Sequence, residues 1–121
     1  MKNNFLHQKR LYKTQSILSY GAKKIFWTNH AKNKMRFYKL SEQRILRIIN
    51  SPSRIEEGVA PNTIAMMQSA GSAKHPYEIW TMIQETKARR KIISTWKYPG
   101  KTKPGDPLPE EILRELNELK S

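Results

Sequence analysis

Two segments, Tyr77–Gln84 (YEIWTMIQ) and Lys91–Tyr98 (KIISTWKY), constrain the fold more than any other part of the chain. Both are rich in β-branched and aromatic residues, and both alternate in polarity with the period of a strand. The polar stretch between them, Glu85–Arg90, has the length of a hairpin connection. In the first strand Tyr77, Ile79, Thr81 and Ile83 share one face, and Glu78, Trp80, Met82 and Gln84 the other. In the second, strict alternation sets Ile92, Ser94, Trp96 and Tyr98 against Lys91, Ile93, Thr95 and Lys97. One face of such a sheet suits helices, and the other is mixed enough to stay partly open.

The rest of the chain supplies the partners. Lys24–Thr28 (KIFWT) follows Gly21 and has strand composition. Thr28 or Asn29 then caps a helix starting at His30, with Ala31, Met35 and Tyr38 on its inward stripe. After a tight turn at Lys39–Leu40, Ser41 caps a second helix that buries Ile45, Leu46, Ile48 and Ile49. Asn50-Ser51-Pro52 ends it. Arg54–Glu57 and Thr63–Gln68 are further strands, and Ser69–Pro76 is a loop. Residues 99–109 hold four prolines and two glycines, which suits an extended arm and no regular element. Pro109-Glu110-Glu111 opens a last helix with Ile112, Leu113, Leu116 and Leu119 on one stripe. The expected class is α+β: two short helices packed on one face of an antiparallel β-sheet, plus a C-terminal helix on a Pro-rich arm. The parts are a basic N-terminal arm (1–24), an α+β domain (25–98), a Pro/Gly-rich linker (99–109) and the helix (110–121).

Charge points to the partner. Residues 1–54 contain 13 of the 23 Lys and Arg and one acid, Glu42; residues 55–121 contain ten basic residues and nine acids. A field concentrated in this way attracts a polyanion, and nucleic-acid phosphate is the commonest one. The chain has no cysteine, which excludes disulfide scaffolds, zinc–thiolate sites and cysteine nucleophiles. No apolar run approaches the ~18 residues that span a bilayer. The expectation is a cytoplasmic protein with no membrane partner.

Phe26-Trp27-Thr28-Asn29-His30-Ala31-Lys32-Asn33-Lys34-Met35-Arg36 resembles the "strand, then H-A-x-x-[KR]-M" opening of a bacterial domain-of-unknown-function family. Leu40-Ser41-Glu42, Ile45, Ile48-Ile49, Asn50-Ser51-Pro52, Arg54–Gly58 and Lys91–Ser94 are similar to its continuation, so the resemblance covers roughly residues 25–98. That family lies near the RelE, ParE and BrnT type toxins. The resemblance implies helices followed by an antiparallel sheet, messenger RNA (on the ribosome in several members) as the substrate, and an acidic antitoxin protein as the partner.

Metal-free RNA cleavage needs a base, an acid and cations around the phosphorane. His30 is the candidate acid/base, because histidine exchanges protons near neutrality and this one stands at a helix start. The alternative is a structural histidine at the strand–helix corner. Arg36, Arg89, Arg90, Lys91 and Lys97 are candidate phosphate contacts, with the Arg89–Lys91 run either a binding cluster or a solvated turn. Trp96 and Tyr98 alternate with Lys97, a pattern that suits base stacking beside phosphate pairing, although Trp96 equally suits a core. A catalytic arrangement would gather His30, Arg36, a hairpin cation and Tyr98 around one cleft. No metal or cofactor is expected, since Glu56, Glu57 and Glu78 form no close carboxylate pair and no phosphate-loop or zinc motif is present. Besides the ribonuclease reading, a binding module without catalysis and a protein-interaction domain fit the same residues.

Overall fold

A computed structural model of the chain describes residues 24–58 and 61–105. Residues 1–23 of the basic arm, the end of the Pro-rich linker and the expected helix at 110–121 lie outside the described residues. The elements are β1 (Lys24–Trp27), α1 (Asn29–Tyr38), α2 (Glu42–Asn50), β2 (Arg54–Glu57), β3 (Thr63–Gly71), β4 (Pro76–Glu85) and β5 (Arg89–Pro99). They build an α+β unit around one five-stranded sheet of order β1-β5-β4-β3-β2.

The sheet is mixed, which corrects the expected antiparallel one. Strands β2 to β5 are antiparallel neighbours, but β1 pairs with β5 in parallel, Lys24 opposite Arg89 and Trp27 opposite Ile92. A parallel neighbour requires a crossover, and the two helices supply part of it. The strands are also longer than expected. β3 continues to Gly71, whose φ of +80° starts the turn into β4, so the loop shrinks to Ser72–His75. Only Thr86, Lys87 and Ala88 separate β4 from β5.

Local chemistry explains both helices. Thr28 is the N-cap of α1: its backbone is extended, and its hydroxyl accepts the Ala31 N–H at 3.1 Å. The same hydroxyl donates to the Ile92 carbonyl at 2.8 Å, which pins the helix start to β5. Lys39 ends α1 in the left-handed region. Its N–H donates to the Arg36 carbonyl, and the Leu40 N–H donates to the Met35 carbonyl at 2.8 Å. This paired pattern turns the chain sharply, and Leu40 and Met35 then pack in the same core. Ser41 caps α2 by accepting the Arg44 N–H at 3.1 Å. Gln68 on β3 donates to the carbonyls of Arg47 and Ser51, satisfying the other end of α2.

Two cores lie on the two faces of the sheet. Between helices and sheet are Ala31, Met35, Leu40, Ile45, Ile48, Ile49, Met66, Ile79, Ile83 and Ile92. The second face, expected to stay partly open, buries Ala65, Met67, Trp80, Met82 and Trp96. Trp80 and Trp96 are cross-strand partners, with rings nearly parallel and centroids 6.0 Å apart. The start of the Pro-rich arm is bonded to this face. The buried Glu78 carboxylate accepts from the Thr102 N–H at 3.1 Å, the Thr102 hydroxyl at 2.7 Å and the Trp80 indole N–H at 3.0 Å. Arg54 donates to the Thr102 carbonyl and lies 5.0 Å from the Trp80 ring centre. A buried carboxylate needs such partners, and Thr102 supplies two of the three.

Candidate nucleic-acid interface

The side chains of β5 decide which basic residues reach solvent. Ile83 pairs with Ile92 but Met82 pairs with Ser94, so Ile93 is an extra residue and the strand carries a bulge. Alternation restarts there. Before the bulge Arg90 and Ile92 point to the helix side, and Arg89 and Lys91 to the second face. After it, Thr95 and Lys97 point to the helix side, and Ser94, Trp96 and Tyr98 to the second face. The expected grouping of Ile92 with Trp96 and Tyr98 is therefore corrected.

Several candidate contacts are relocated by this geometry. Arg90 is 1% exposed and its Nε lies 2.5 Å from a Glu85 carboxylate oxygen. It is a buried ion-pair residue with no open side for phosphate. Trp96 is 2% exposed and stacks on Trp80, so its ring belongs to the core. Lys97 sits over the Tyr77 ring at 5.3 Å, on the face opposite Tyr98. Tyr98 is half-buried against the second core and stands at the far end of β5 from Arg89, about 30 Å away at ~3.3 Å per residue.

Helix α1 separates two more. His30, Lys34 and Tyr38 recur at single-turn spacing and share one flank. Tyr38 packs on both cores, and Tyr98 packs on the second. Lys32, Arg36 and Lys39 share the other flank. They line a concavity of about 470 Å³ at the α1–α2 corner with Met35, Leu40, Ser41 and Glu42. His30, Arg36, the hairpin cations and Tyr98 consequently do not line one cleft.

What the structure does bring together is a patch that the sequence reasoning missed. Lys24 and Phe26 on β1 are the register partners of Arg89 and Lys91 on β5. Partners in a parallel pair point to the same side, so all four lie on the second face at its β1 edge. Phe26 is 41% exposed, and the Arg89 guanidinium lies 4.5 Å from its ring centre. The nearest acid along the sheet, Glu85, turns to the other face and is paired with Arg90. The alternation Lys24–Ile25–Phe26–Trp27 carried a signal for this patch, but its neighbours on β5 depend on a long-range parallel pairing.

Among the described residues, no three His, Asp or Glu side chains are grouped as a metal site would need, and no helix is long and apolar enough to cross a membrane. No family model, curated protein or solved structure matches the chain.

Proposed function

We propose that this chain binds RNA and is a member of the toxin-like group that its Phe26–Arg36 segment resembles. The observation that carries the binding reading is the exposed Phe26 ring under the Arg89 guanidinium, between Lys24 and Lys91. An aromatic surface within a cluster of cations suits a ligand with flat bases and a phosphate backbone. The strong net charge of residues 1–54 adds attraction that does not depend on sequence. The same surface suits an acidic antitoxin-like protein as a competitor, and messenger RNA or ribosomes as ligands place the protein in the cytoplasm.

Metal-free cleavage is the second reading, favoured by one observation: Tyr38, two turns along α1 from His30, and Tyr98 pack against the same core. In that reading His30 moves the proton and Tyr98 positions or protonates the leaving oxygen. Arrest of host growth, or shortened RNA in mixtures with wild type but not with His30→Ala, separates it from simple binding.

Binding itself is tested by anisotropy titration of a labelled RNA across salt concentrations. Three phosphates neutralised by Lys24, Arg89 and Lys91 on a single strand give a slope of log K against log salt of about −2. A slope near zero, or no binding at low salt, would remove the RNA reading.

A further inference from the structure

We infer that Phe26 and Arg89 form a stacking platform for an unpaired base, so that the ligand is single-stranded rather than duplex RNA. This inference rests on the RNA-binding reading and narrows it to a substrate class. Phe26 and Phe37 are the exposed large hydrophobics among the described residues. Phe37 lies on α1 with the Lys34 ammonium 5.8 Å from its ring centre. Phe26 instead stands on a strand whose backbone is paired in register with β5. A sheet-borne aromatic loses little side-chain freedom when a base lies against it.

The neighbours of Phe26 match the rest of a nucleotide. Lys91 is its cross-strand partner, and Lys24 lies on the same face of the same strand. Both lysines therefore lie on the face that carries the ring, where they suit the phosphates beside a stacked nucleotide. Arg89 adds a planar cation against the ring, and guanidinium planes stack on bases as aromatics do. The acid-free residues 1–23, with five Lys and Arg, join the fold at Lys24.

Geometry also favours unpaired bases. In an A-form duplex the base faces are stacked on one another, and the groove floors present only edges. A single ring on a sheet face reaches a base face only where that base is unstacked. Stacking contributes on the scale of a tenfold change or more per base, which the charge field alone does not provide.

The test compares a short single-stranded oligoribonucleotide with a duplex of equal length, at matched salt, by anisotropy. Wild type is expected to bind the single strand more tightly. Phe26→Leu, which keeps an apolar side chain, should weaken single-strand binding about tenfold and leave duplex binding and the salt slope unchanged. Phe26→Trp should restore the preference. Arg89→Ala, at an exposed position, should reduce single-strand binding in the same sense and gives a second reading if Phe26→Leu fails to fold. Wild-type binding without strand preference, or a Phe26→Leu or Arg89→Ala variant that keeps it, would overturn the platform while leaving RNA binding intact. Absence of binding to both RNAs at low salt would overturn platform and RNA reading together.

Discussion

Glu85→Ala should destabilise the fold by about 3–5 kcal/mol, because it leaves the Arg90 guanidinium charged, buried and without its carboxylate. The side chains of the pair are 2% and 16% exposed, so water replaces the lost partner poorly. Removing both charges is a different matter. A Glu85→Ala, Arg90→Met double variant exchanges the pair for apolar volume and should recover most of the stability. It should also bind RNA as wild type does, since Arg90 faces the helix side of the sheet. Denaturant unfolding of the three proteins checks the first point and an RNA titration the second. A single variant as stable as wild type would mean that the guanidinium reaches solvent. A loss of RNA affinity in the double variant would return Arg90 to the binding surface.

Trp96→Ala should cost a further amount of similar size, about 3–5 kcal/mol, and lower the melting temperature by on the order of 10 °C. The indole is buried, and its removal opens a cavity beside Trp80, Met82 and Ala65. It also abolishes the ring contact with Trp80 at 6.0 Å. Trp96→Phe retains an aromatic ring and should lose less. Neither change should alter RNA affinity at temperatures where the protein is folded. A base-stacking role for Trp96 predicts the reverse, a stable protein that binds RNA poorly, and calorimetry paired with a titration distinguishes the two.

These effects show where local sequence signals end. Thr28 and Ser41, each followed by an apolar stripe of helical period, announce both helices, because a cap and a period are short-range properties. The β4–β5 hairpin is equally local. The parallel seat of β1 is not, since nothing in KIFWT distinguishes the edge it joins. The bulge at Ile93 is harder still. One inserted residue moves Trp96 and Tyr98 to the face opposite Ile92, and no turn residue marks it. The run Arg89-Arg90-Lys91 looks like one cationic cluster in sequence, but strand alternation divides it: Arg90 enters an ion pair, and its neighbours flank Phe26. Charge was legible as a quantity, and its distribution over two faces needed the sheet.

The position of RNA on the fold is measured most directly by photo-crosslinking. A single-stranded RNA carrying thiouridine is irradiated with the full-length protein, and the adducts are mapped by peptide mass spectrometry. Adducts should concentrate on Phe26 and on the residues around Arg89 and Lys91, and should fall as salt rises, because cation–phosphate contacts hold the strand there. Adducts confined to the Lys32–Lys39 flank of α1, with none on the Phe26 strand, would contradict the proposed interface.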